Sequence, residues 1–229
     1  MSSIAHGTEI GVATGRAHEN VAAGNDIVRH HRASRLIHWS VAVSFFISLL
    51  SGMPIWTPLF GWMAFLLGGL EVCRWLHPYA GCVFFVMSVV QFFHWRADMH
   101  LQPGDGEWVG SKAFTYMHHA DSKPDAGKYN GGQRLFFYAV TLGAIGLLLS
   151  GIVMWFPLSF PVLLRELSIL LHDITFICFL IAVITHIYLG TAAEPGTFRS
   201  MTRGTVTRAW ARLHHPGWFR EVTGEEPKR

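Results

Sequence analysis

Four histidines stand where an ionisable side chain is costly. His38, His77, His172 and His186 each lie in, or at the end of, a long apolar stretch. His172 and His186 are 14 residues apart, just under four helical turns, so one helix face presents both imidazoles with about 21 Å between them along the axis. Two imidazoles brought from facing helices to one depth suit the two axial positions of a haem iron. Zinc normally takes four ligands, and no further Cys, Asp or Glu stands near either level. Asp173, one residue past His172, points away from that face. A haem with both axial positions filled carries electrons and has no open place for oxygen.

The elements that must position these groups are membrane spans. Of 229 residues, 51% are hydrophobic and only 14% charged, against roughly 25% charged in a soluble domain. The mean hydropathy is +0.31. This excludes a disordered chain and argues against an ordinary soluble enzyme. Four apolar stretches, Leu36 to Trp56, Leu76 to Trp95, Leu135 to Phe156 and Ser168 to Gly190, each approach the roughly 20 residues a helix needs to cross a bilayer. A fifth, Leu59 to Leu70, is too short to cross and is expected at the interface or over the mouth of the bundle. Pro54, Pro58, Pro157 and Pro161 are expected to mark the ends of the first and third spans. The predicted fold is an all-α, four-span bundle covering residues 29–198. A tail, residues 1–28, precedes it as a loose segment or a strand-like arm on a partner, and a basic cytoplasmic tail, residues 199–229, follows it.

Lysine and arginine set the orientation. Four lie in the N-terminal tail, five in the second loop and seven in the C-terminal tail, whereas the first and third loops hold one each. The positive-inside rule then places both termini and the long second loop in the cytoplasm. His38 lies near the inner end of span one, His77 near the outer end of span two, and span four enters with His172 outward and His186 inward. Depth alone therefore pairs His77 with His172 and His38 with His186, giving two haems. Without a CxxCH motif they are non-covalent b-type haems. Gly81, one turn after His77, and Gly52, 14 residues after His38, leave room for a flat macrocycle at the outer level. His94 competes with His38 for the inner level, but it is 17 residues from His77 and so turned about 100° from it on the helix.

An electron wire across a bilayer needs a donor and an acceptor. The chain has no iron–sulfur, flavin or molybdenum motif, so another subunit must supply electrons, and the acceptor natural to a membrane is a quinone. On the inner side, Lys128-Tyr129-Asn130-Gly131-Gly132-Gln133 leads into span three. The Asn130 and Gln133 amides can donate to a quinone carbonyl, and Gly132 leaves the backbone accessible. The same residues also read as a turn and helix cap.

At this point the sequence resembles the gamma, or cytochrome b, subunits of membrane-bound respiratory formate dehydrogenases. The likeness covers about residues 27–225 and rests on Arg35-Leu36-Ile37-His38-Trp39, Leu76-His77-Pro78, Gly127-Lys128-Tyr129-Asn130 through Gln133, the His172/His186 spacing, and Trp210 through Glu221 around His214-His215-Pro216-Gly217-Trp218. The resemblance implies the same two histidine pairs as iron ligands. It also implies reduction of menaquinone or ubiquinone near Asn130, Gly132 and His186, and a multi-pass place in the bacterial inner membrane in anaerobic respiration. The implied partners are an iron–sulfur beta subunit and a molybdenum or tungsten alpha subunit, with assembly into a trimer of heterotrimers. The alternative is the same dihaem anchor serving a hydrogenase or another molybdoenzyme, which shares the haem ligands more readily than the loop and tail motifs. A different class, a His-lined transporter of metal ions or protons, would show no haem spectrum. The net charge of +3 suggests no nucleic-acid surface. The C-terminal arginines, interleaved with Trp210, Leu213, Trp218 and Phe219, suit an anionic membrane surface and equally a merely positive-inside tail, and a partner contact is compatible with both.

Overall fold

Each of the four long apolar stretches becomes a helix that begins four to six residues before the stretch does, because a helical backbone continues through a turn that carries charged residues as easily as through an apolar one. In the computed structural model, which describes residues 22–23, 26–108 and 125–226, these helices are α1 (Arg32–Trp56), α3 (Leu70–Trp95), α4 (Gly131–Trp155) and α5 (Val162–Tyr188). All four are long and apolar enough to cross a membrane. The chain is a membrane protein, and side chains such as Val43, Phe93, Leu142 and Ile181 are exposed because their solvent is lipid. The short α2 (Gly61–Leu66) follows a single turn at Pro58–Phe60 and exposes Trp62, Phe65 and Leu66. The chain reverses after it through Gly68 and Gly69, whose φ of 90° and 111° suit glycine alone. Pro54 lies inside the last turn of α1, two residues short of its end, whereas Pro58 and Pro157 open short turns and Pro161 directly precedes α5.

Two compact units divide the chain. One comprises residues 36–95 and 138–182, the greater part of the four long helices. Three of its buried hydroxyls return to their own helices. Ser44 donates to Ser40 O at 2.8 Å, Ser51 to Ile47 O at 2.6 Å and Ser88 to Phe84 O at 2.8 Å, which satisfies each polar group without water.

The other unit gathers residues 1–35, 96–137 and 183–229. It contains a three-stranded antiparallel sheet of β1 (Ala22–Ala23), β2 (Asp26–Val28) and β3 (Thr205–Thr207), in that order. Ile27 sits opposite Val206, and both are fully buried against Trp210, Trp218, Phe219 and Val222. The helices α6 (Thr197–Thr202), α7 (Arg208–His214) and α8 (Pro216–Thr223) complete this core. The segment after residue 199 is therefore folded, and Trp210, Trp218 and Phe219 are interior residues, not side chains laid on a membrane surface. Its arginines pair locally: Arg199 with Asp26, Arg220 with Asp125, and Arg208 with Glu225 at 2.5 Å. The strand at Asp26–Val28 pairs within this chain; residues 1–21, 24 and 25, the rest of the expected tail apart from β1, lie outside the described residues.

Candidate haem-binding site

His77, in the second turn of α3, lies flat against α1, and the close approach depends on Gly52. A Cβ there would stand 2.7 Å from His77 Cε1 and 2.9 Å from Nδ1. Gly52 is also one helical turn after Ser48, so the missing side chain opens the Ser48 carbonyl to a second donor. His77 Nδ1 approaches that oxygen at 2.9 Å. A carbonyl only accepts, so Nδ1 carries the proton and Nε2 keeps its lone pair. His172 on α5 reaches the same state by another route. Its Nδ1 is 2.9 Å from Ser150 Oγ, and that hydroxyl spends its own proton on Gly146 O at 2.6 Å. The Ser150 oxygen must accept, and His172 Nε2 is again the unprotonated nitrogen.

The two rings lie 6.2 Å apart between centroids, with planes at 70°. Two imidazoles on opposite sides of one metal, each bonded at about 2 Å, would have centroids about 6 Å apart. Rotation about the common axis leaves the angle between the planes free. The pair fits a six-coordinate haem iron in distance, in tautomer and in ligand number. Among the described residues no three His, Cys, Asp or Glu side chains converge, which leaves these two short of a zinc cage. Gly81 is one turn from His77, and a Cβ there would meet no atom within 4 Å; Gly151 of α4 would meet His172 Cε1 at 3.6 Å. Ser48, Ser150 and Gly151 did not emerge from the histidine spacing, although two of them form a Ser-Gly pair near the end of an apolar run.

In the other unit, the loop before α4 is held by its carbonyls. Four successive ones are engaged: Ala126 O by Gly217 N at 3.0 Å, Gly127 O by His215 Nδ1 at 2.7 Å, Lys128 O by Arg29 Nη2 at 2.6 Å and Tyr129 O by Arg134 Nη1 at 2.6 Å. The 127–130 and 214–218 motifs of the sequence are thus each other's partners. Asn130 and Gln133 form a reciprocal cap on α4. Asn130 Oδ1 accepts from Gln133 N at 2.9 Å, and Gln133 Oε1 accepts from Asn130 N at 3.0 Å. These bonds use the amide oxygens. Gly132 lies beside them, where a Cβ would stand 3.4 Å from Asn130 Oδ1.

A family model described as prokaryotic cytochrome b561 matches residues 29–204, more than half of the chain. The chain belongs to the prokaryotic cytochrome b561 family. Membership implies b-type haem and membrane electron transfer. Among curated relatives of this cytochrome, the formate dehydrogenase cytochrome b556(fdo) subunit of Escherichia coli K12 is 31% identical over 206 residues, covering 89% of this chain and 96% of the relative. The nitrate-inducible formate dehydrogenase cytochrome b556(Fdn) subunit of the same strain is 30% identical over 206 residues, covering 89% and 94%. The formate dehydrogenase cytochrome b556 subunit of Haemophilus influenzae is 30% identical over 199 residues, covering 85% and 83%.

Elsewhere in this cytochrome, His186, in the last turn of α5, stacks on Phe136 with ring centroids 4.5 Å apart and planes at 5°. His38 is half-buried and meets the ring of Trp39 edge-on. His94 is exposed and meets Trp95 the same way. Asp173 is half-buried beside His172.

Arg134 grips Asp105 with both Nε (2.8 Å) and Nη2 (2.6 Å), and the pair is buried. The guanidinium holds the Asp105 carboxyl below the usual carboxylate range. Because the native value is depressed, the stabilisation is complete above the ordinary value of about 4 and is lost as pH falls through the native one. Amide protection in residues 99–108 and 127–136, measured relative to the intrinsic exchange rate at each pH, is therefore expected to fall on acidification below that range. Asp105→Asn should show the loose behaviour already at neutral pH, and an Asp105→Asn profile matching native at every pH would contradict this.

Proposed function

We propose that this cytochrome is the quinone-reducing membrane subunit of a formate dehydrogenase complex, holding two b-type haems. His77 and His172 are the axial ligands of one and His38 and His186 of the other. The observation that carries the reading is the His77–His172 pair, 6.2 Å apart with both Nε2 atoms unprotonated. The depth expected from the sequence supports the second pair, because His38 lies in the second turn of α1 and His186 in the last turn of α5. The lysine and arginine asymmetry supports a topology with both termini in the cytoplasm of a bacterial inner membrane, His77 and His172 outward.

Bound haem iron supplies reversible one-electron transfer with no open coordination position. The chain's own residues do the rest. Ser48 O and Ser150 Oγ fix the rings and tautomers of His77 and His172, as outer hydrogen bonds do for metal-ligating histidines. The fixed 126–129 carbonyls hold the Asn130 loop in place. With their oxygens engaged in the cap, Asn130 and Gln133 offer amide N–H groups to a menaquinone or ubiquinone carbonyl beside Gly132. Electrons come from an iron–sulfur beta subunit served by a molybdenum or tungsten alpha subunit that oxidises formate. The names of the relatives support that partnership.

Haem and polypeptide measured on the purified protein are expected to give close to two b-type haems per chain, both reduced by dithionite. A ratio near zero or one rejects the reading. The catalytic subunit that co-purifies separates a formate dehydrogenase from a hydrogenase or another molybdoenzyme.

A further inference from the structure

His38, His77, His172 and His186 each have a phenylalanine seven residues away toward the middle of the helix: Phe45 after His38, Phe84 after His77, and Phe179 after His172 and before His186. Seven residues fall about 20° short of two turns, so each phenylalanine shares its histidine's face, about 10 Å along the axis. The three rings meet. Centroids are 5.0 Å apart for Phe45 and Phe179, 5.7 Å for Phe45 and Phe84, and 5.6 Å for Phe84 and Phe179. All are at most 6% exposed, in a unit whose flanks are largely lipid-facing. Gly143 of α4 closes the fourth side, where a Cβ would stand 2.6 Å from Phe179 Cδ2. The neighbouring buried hydroxyls, Ser44 and Ser88, donate to carbonyls of their own helices.

We propose that Phe45, Phe84 and Phe179, packed against Gly143, form a proton barrier across the middle of the spans. The inference rests on the two histidine levels proposed above. Electrons pass between those levels by tunnelling, which needs no continuous chain of atoms. Protons need water or exchangeable polar groups in sequence, and a buried water needs two to four polar partners. This layer has aromatic carbon on three sides and a bare backbone on the fourth. A leak here would let protons follow the electrons and discharge the separation that a transmembrane wire sets up.

Because an enlarged apolar cavity can stay dry, the informative substitution adds a polar group. Vesicles holding the purified native complex or its Phe179→Asn variant, at matched haem content, are given a potassium diffusion potential, and proton entry is read from an internal pH dye. Phe179→Asn is expected to raise proton conductance several-fold while an entrapped larger dye is retained, and the apolar Phe179→Leu is expected to stay at the native value. Phe84→Asn carries the same test should Phe179→Asn fail to assemble. Native conductance in the haem-loaded Asn variants, or dye escaping in step with protons, overturns the barrier. The haem ratio of the native protein reports separately on the two levels. One haem per chain alongside leaky Asn variants would remove the second haem and leave the barrier standing.

Discussion

Replacing His172 with alanine is expected to remove one of two b-type haems from the purified protein and leave the other. The argument is local. His172 and His77 are the only imidazoles, among the described residues of their unit, whose rings approach with both Nε2 atoms unprotonated, and alanine would leave His77 alone to hold the proposed haem. The other proposed haem would be held by His38 and His186, neither of which the substitution changes. Absorbance of the reduced protein should therefore fall by about half per chain, and electron delivery to quinone should stop. Changes behind the ligand should act in the same direction with smaller size. Ser150→Ala frees the Nδ1 proton of His172 and is expected to weaken haem retention about 10- to 100-fold, the usual effect of losing a ligand's outer hydrogen bond. Gly52→Ala places a Cβ inside contact distance of His77 and forces that ring off its carbonyl. Retention of both haems in His172→Ala defeats the ligand assignment.

The spans were legible because lipid imposes one requirement on every exposed residue, and a run of apolar side chains meets it visibly. The approach of His77 to His172 was legible because depth is a linear function of position in a helix that crosses a slab. What completes that pair was not. The Ser48 carbonyl belongs to the backbone, and Ser150 acts from a third helix, so no period connects either of them to a histidine. The segment after residue 199 was misjudged for a related reason. Arginines alternating with Trp210, Trp218 and Phe219 look like a membrane-surface pattern until Ile27 arrives from far away in sequence to seal the aromatic side. Asn130 and Gln133 carry two meanings, since a pair of amides three residues apart at the start of a helix is a cap on local grounds alone.

The second large effect is expected from Arg29→Ala, in the unit outside the haem pair. Arg29 is 2% exposed, and its guanidinium lies 4.9 Å from the ring of Trp210 and 5.1 Å from that of Trp218. One nitrogen, Nη2, donates to Lys128 O at 2.6 Å and to His215 Nε2 at 3.1 Å, while His215 Nδ1 donates onward to Gly127 O. Burial pushes the guanidinium down to about 10, which still leaves it charged at neutral pH. Alanine would strip a charge-assisted donor from a buried carbonyl and a buried imidazole and leave a cavity under two indoles, costing about 3–5 kcal/mol. Lysine would restore the charge but not a planar group that stacks on the indoles, and is expected to recover only part of the loss. The readout is amide exchange and protease sensitivity in residues 126–130 and 205–223. Both should rise sharply in Arg29→Ala, while the haem held by His77 and His172 stays in place, because those two side chains and the residues that fix them belong to the other unit. Native protection in Arg29→Ala would mean that the carbonyl row from Ala126 to Tyr129 holds without its central donor. The coupling of the 127–130 and 214–218 motifs would then have to rest on His215 and the α8 amides alone.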